Sequence, residues 1–196
     1  MLRELKELLS LMLGFMPWLL FLFLSGHSLQ SLELSILISL AACVTFGFSE
    51  LRGGFILQWG SLVFFAGCVL LVNVFHNVWV ATHMDLIANI SLASIIWLTL
   101  ITGRPFALQY ARRGLPRERW NDPALLAGCR LITLVWAILM SLAVVLSVYR
   151  RSPAPQASEN VYFAISLTLI FGGVVFTTAF KRYKRLHRAQ NPSAGT

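Results

Sequence analysis

Acidic side chains are scarce. Only eight Asp and Glu occur in 196 residues, and charged residues of both signs reach just 12%. None of the carboxylates (Glu4, Glu7, Glu33, Glu50, Asp85, Glu118, Asp122, Glu159) falls in the middle of a long apolar run. Proton relays and ion pathways need ionisable groups within the membrane. Their absence argues against a proton-coupled transporter and against acid–base chemistry inside a membrane. Cysteine is also sparse. Cys43 and Cys68 sit within apolar runs, Cys129 sits at the edge of another, and no C-x-x-C pair exists. That argues against a structural disulfide or a cysteine metal site. Apolar–polar alternation of the strand type is missing, which argues against a membrane β-barrel. No base-stacking platform or nucleic-acid-binding motif accompanies the net charge of +8, so nucleic acid is not expected as a partner.

Apolar residues dominate, at 57% with a mean hydropathy of +0.73. They come in runs too long for a soluble core helix, which marks an integral membrane protein. Six runs approach the length needed to cross about 30 Å of hydrocarbon: residues 5–24, 33–48, 55–75, 86–101, 131–149 and 161–180. The second and fourth are short and must borrow flanking residues. The expected fold is therefore all-α, a single polytopic domain over 1–196 with about six transmembrane helices, a linker at 102–130 and a basic tail at 181–196. The first run is preceded by mixed charge and followed by "SGHS", a poor cleavage site, so it reads as a retained helix.

Lys and Arg set the orientation. With the N-terminus inside, all 16 except Arg150 and Arg151 fall on the cytoplasmic side. Both termini are expected in the cytoplasm. The inner cations would also face anionic lipid, each gaining on the order of 1 kcal/mol.

The long polar interruption "TGRPFALQYARRGLPRERWNDP" carries more pattern than orientation requires. Pro105 suits a first helical turn. Gln109, Arg112 and Arg113 share one face of the following segment, and Phe106, Ala107, Leu108, Tyr110 and Ala111 cover most of the rest. This predicts a short interfacial helix lying in the inner headgroup layer, between spans four and five. Gly114 and Pro116 end it. Asn121 or Asp122 is expected to cap a second short segment reaching Arg130. Trp120 belongs at the interface. The candidate interaction or lipid surface is Arg104, Phe106, Gln109, Tyr110, Arg112, Arg113, Arg117, Arg119 and Trp120.

The order of features resembles the bacterial intracellular septation protein A family. "GFMPWLLFLF" is similar to that family's Leu-Pro and Phe-rich start. "TGRPFALQYARRGLPRERWNDP" resembles its basic linker, "CRLITLVWAILM" its next span with a Trp-Ala pair, and "KRYKRLHR" its basic end. The family's core has about five helices, against six runs here. The resemblance implies a bacterial inner-membrane protein acting in septation, cell division or envelope synthesis through contacts with other membrane proteins, with no established catalytic residues.

Other groups read as structural. His27, His76 and His83 fall in outer loops or at helix ends, and "HNVWVATHMD" fits no standard zinc spacing; His187 belongs to the basic tail. No catalytic residue, metal ligand or cofactor is expected. Glu50 and Arg52 read as a surface pair in "SELRGG", with the linker as an alternative partner for either. Gln58, Asn73, Asn89, Ser91, Thr133 and Ser141 suit hydrogen bonds between helices. Gly60, Gly67, Gly172 and Gly173 suit close helix approach, and Pro17 a kink. A small lipid or solute transporter or scramblase is the alternative function, because six spans divide into two halves of three, although no internal sequence similarity is expected. A membrane-embedded enzyme is the third. Self-association is compatible with the pattern.

Overall fold

The computed structural model describes residues 14–26, 28–153 and 158–190, with side chains of 185–190 left aside. The expected residues 5–13 of the first run, His27, the cations Arg3 and Lys6, the end of the tail, and the side chain of His187 lie outside the described residues.

The described chain is helical, with no strand. The helices are α1 (Gly14–Leu24), α2 (Leu29–Thr45), α3 (Phe48–Arg52), α4 (Ile56–Cys68), α5 (Val78–Thr82), α6 (Met84–Ile101), α7 (Phe106–Arg113), α8 (Pro123–Tyr149) and α9 (Glu159–Gln190). A π-helical turn, Val69–Val74, extends α4, and a single 3-10 turn covers Arg117–Arg119. Four helical segments are long and apolar enough to cross a membrane: Ile56–Val74, Met84–Ile101, Pro123–Tyr149 and Glu159–Lys184. The apolar helices α1 and α2 are shorter. These are the apolar helices of a membrane protein.

The short segment expected separately at 121–130 is, from Pro123 onward, continuous with span five. Asp122 accepts from the Ala124 amide at 2.8 Å, and Pro123 occupies the first turn. Nothing between Ala124 and Leu131 breaks the helix, so α8 runs unbroken from cap to Tyr149.

Helix α8 is the hub. It packs along α6, α7 and α9, while α4 joins α2 to α6. Helix α1 contributes aromatics at i, i+3 and i+6: Phe15, Trp18 and Phe21 are all buried, as one face of a helix requires. Phe15 stacks on Trp136 at 4.9 Å, and Trp18 stacks on Phe64 and donates to Ser61 at 2.7 Å. Polar side chains bond across the helices. Asn89 donates to Ser147 at 2.8 Å, Trp97 to Ser141 at 3.1 Å, and Trp136 to Thr177 at 3.0 Å. Each such bond contributes only about 0.6 kcal/mol, so they fix register more than they add stability.

Two of the four glycines meet another helix. A Cβ on Gly60 would meet Ile95 at 2.8 Å, and one on Gly173 would meet the buried Trp136 ring at 2.9 Å. Gly67 and Gly172 face open space. Gly173→Val should therefore lower stability by about 1–3 kcal/mol, the usual cost of overpacking, while Gly172→Val should be near neutral. Thermal unfolding of the two purified variants, followed by gel-filtration recovery after heating, checks this; equal behaviour would place Trp136 elsewhere.

Candidate functional site: an arginine-lined cleft

Charge separates to the two ends of the bundle. At one end Asp85 pairs with Arg151 and lies 3.5 Å from Arg150, and Arg150 also reaches Glu159 at 2.6 Å. The cations there are matched by acids. His76 lies 3.8 Å from Glu33, and His83 stacks on Trp79 at 4.6 Å. Among the described residues no three His, Cys, Asp or Glu side chains gather where they could hold a metal. The other end carries Arg52, the linker arginines, Arg130 and Lys184.

At that basic end two helix stops lie side by side. After α3, Gly54 has φ +68°; its amide donates to the Leu51 carbonyl, and the Phe55 amide to that of Glu50. After α6, Gly103 has φ +68°; its amide donates to Leu100 and that of Arg104 to Thr99. Both are Schellman turns, in which a left-handed residue closes the last carbonyls of a helix. A short sequence echo accompanies them, against the expected lack of internal similarity. "ISLAA" at 38–42 recurs as "ISLAS" at 90–94, and "FILQWG" at 55–60 as "FALQYA" at 106–111. Twice the chain ends a helix on glycine and restarts on Phe with Gln three residues further.

The two glutamines tie these restarts down. Gln58 donates to the Cys43 carbonyl at 3.0 Å. Gln109 accepts from the Ile56 amide at 3.0 Å and donates to the Arg104 carbonyl at 3.0 Å. Helix α7 thus caps the start of α4. Its own first amides go to side chains: Phe106 to Thr99 Oγ1 at 3.3 Å and Ala107 to Thr133 Oγ1 at 3.4 Å.

Helix α7 does not present its apolar face to headgroups. Phe106 is wholly buried, edge-on to Phe15 at 5.7 Å and to Trp136 at 6.4 Å. Tyr110 is buried edge-on to Phe55 at 5.0 Å, and a Cβ on Gly14 would collide with its hydroxyl. Burial, and then the charge of Glu50, push the Tyr110 hydroxyl well above its usual pKa, with Arg113 opposing. The same amphipathic pattern suits a lipid surface or the end of a bundle, and here the bundle takes it.

The charged face divides by role. Arg113 reaches Glu50 at 2.5 Å and lies over Phe55 at 4.4 Å. Glu50 is only 5% exposed, so the expected surface carboxylate is a buried one, paired with the linker. Arg112 lies over Trp120 at 5.4 Å and donates to its carbonyl at 3.4 Å. Trp120 donates to Leu115 at 3.1 Å. These contacts fold the linker back on itself. A cleft of about 540 Å³ opens between the two glycine turns, lined by Arg104, Arg112, Arg113, Arg130, Gln109 and Trp120 among others. Arg117, 5.9 Å from the Trp120 ring, is not among its walls. Arg119 lines a separate cavity of about 180 Å³ with Lys181 and Lys184, between α8 and α9. Arg130 and the two glycines were not among the expected site residues; the echoed restarts were the signal for the glycines.

The chain matches no protein-family model, no curated protein and no solved structure.

Breaking a buried ion pair by removing one partner costs about 3–5 kcal/mol, less here because Arg113 is partly exposed. Arg113→Gln should clearly lower the unfolding midpoint, and adding Glu50→Gln should recover part of the loss. A double-mutant cycle on purified protein measures it; additive single effects would mean that the pair is not coupled.

Proposed function

We propose that this chain is a six-span bacterial inner-membrane protein, with both termini cytoplasmic, that acts without catalysis in septation or envelope synthesis by docking anionic lipid or membrane-protein partners on its basic end. The observation that carries the reading is the rigid display of the linker. Arg112 and Arg113 stand on a helix whose apolar side is locked into the core and whose first amides are held by Thr99 and Thr133, and Arg104 lies just before it. A charge tether that only fixed orientation would not require these bonds. The lining of the cleft supports binding over chemistry, because guanidinium groups stay protonated and serve poorly as general bases.

Six spans need α1 and α2 to cross as well. Helix α2 has 17 residues, about 26 Å at 1.5 Å per residue, close to the hydrocarbon thickness. The basic end then faces the cytoplasm by the positive-inside rule, and the acid-matched end faces out. The septation or envelope role rests on the family resemblance.

A reporter active only outside the cytoplasm should be silent when fused after Thr196 and active when inserted at residues 77–81. The reverse pattern would overturn the topology. For function, Arg104→Gln with Arg112→Gln should insert at the normal level and orientation yet fail to complement a deletion strain's division or envelope defect. Full complementation would show that the basic end is not the working surface.

A further inference from the structure

We propose that the cleft between the two glycine turns binds a phosphate group carrying two or more negative charges, a phosphomonoester or diphosphate, in preference to a singly charged phosphodiester. This rests on the docking reading above and narrows its ligand.

Four guanidinium groups line one cleft: Arg104, Arg112, Arg113 and Arg130. No carboxylate is part of its wall. Glu50 neutralises Arg113 from behind. Arg104, Arg112 and Arg130 have no ion pair among the described residues. Three unmatched cations around one opening repel each other, and the protein gathers them nonetheless. A phosphodiester headgroup would match one of the three. A phosphomonoester carries about −1.5 to −2 at neutral pH, and a diphosphate carries more.

The backbone amides of the two turns are already used within the Schellman bonds. Recognition therefore falls to the side chains, where the planar guanidinium fork matches phosphate oxygens. Arg112 is preset for this. Its Nη2 donates to the Trp120 carbonyl and its plane is held near the Trp120 ring, while its Nε is buried with no partner among the described residues. A buried donor of that kind is costly unless something accepts from it. Gly54 and Gly103 keep the mouth low, since a Cβ on either would project into open space.

Nineteen residues separate Arg130 from the end of α8 at Tyr149, about 28 Å of helix. Arg130 thus sits at the boundary of the hydrocarbon, where a lipid phosphate lies. Trp120, at the rim, is a residue of the same layer.

The test uses the full chain in neutral detergent, titrated with phosphatidic acid, phosphatidylglycerol or inorganic pyrophosphate, with binding read by native mass spectrometry and by thermal shift. Phosphatidic acid should bind about tenfold more tightly than phosphatidylglycerol, the value of one added charge-assisted bond. Arg104→Gln with Arg130→Gln should abolish that preference. Arg104→Lys with Arg130→Lys should restore part of it. Lys181→Gln with Arg182→Gln removes the same charge outside the cleft and should leave it unchanged. If the first pair lowers the unfolding midpoint, the lysine pair and the outside pair still decide the matter. Pyrophosphate binding as tightly as phosphatidic acid would support the site and assign it to soluble phosphates; pyrophosphate only as a weak competitor would assign it to lipid. Equal binding of the two lipids would overturn the inference while leaving the docking reading intact. Displacement of phosphatidic acid by polyglutamate more readily than by pyrophosphate would overturn it in favour of an acidic protein segment.

Discussion

Backbone amides set free where a helix starts, and carbonyls where one stops, must find partners, and beneath packed side chains water is not there to supply them. A buried amide or carbonyl left unmet costs about 1–3 kcal/mol. The basic end of this bundle holds two helix stops and two helix starts within one small volume, and its structure follows from meeting that demand. The Schellman turns close the carbonyls of α3 and α6. Thr99 and Thr133 receive the first amides of α7, and Gln109 receives that of Ile56. Because each helix start is satisfied by a side chain from another helix, α4, α6, α7 and α8 are fixed to one another at this end. The aromatic packing of Phe106 on Phe15 and Trp136 then fills the space those bonds define.

Rigidity of this origin has a consequence for charge. Arginines on a free linker would spread apart to reduce repulsion. Here Arg104 follows a glycine turn, Arg112 and Arg113 sit on α7, and Arg130 sits on α8, so their backbones cannot separate. Buried Glu50 relieves one of them. Its second oxygen has no partner among the described residues, so the pair does not spread into a wider neutralising network. The electrostatic tension of the remaining three is built in by the fold, and a bound anion would relieve it. The opposite end shows that the chain does not lack acids for matching: Asp85 and Glu159 satisfy both arginines there.

Much of the helical layout is legible in the sequence. The apolar runs at 55–75 and 86–101 become helical segments shifted by only one or two residues, because length and hydropathy are local properties. Pro105, Gly114 and Asp122 likewise act through their own backbone neighbourhood. What the sequence withholds is which partner meets a face. The pattern of Phe106, Leu108 and Tyr110 against Gln109, Arg112 and Arg113 is the same for a helix lying on lipid and for one closing a bundle. Only the hydroxyls of Thr99 and Thr133 and the ring of Trp136, distant in the chain, decide for the bundle. Glu50 was ambiguous for a related reason, since its partner Arg113 lies 63 positions away and burial is not written in "SELRGG". Arg130 looked like one more linker cation because the continuity of α8, which carries it onto the cleft wall, depends on the absence of a break.

The echoed "F-x-L-Q" segments both start helices at the basic end. Identical local chemistry is used twice at the same end, and the two copies diverge where they face different neighbours. Gln58 is fully buried and turns back to α2, whereas Gln109 is partly exposed, reaches α4 and lines the cleft. Trp59 donates to Leu51 at the surface, while its counterpart Tyr110 is buried against Phe55. The first copy closes a plain hairpin between α2 and α4. The second is followed by the basic linker before α8 begins. One copy therefore serves as structural floor and the other carries the arginines above it. A cleft forms between them because a helix start of this design leaves its glycine turn without a side chain on either side of the opening.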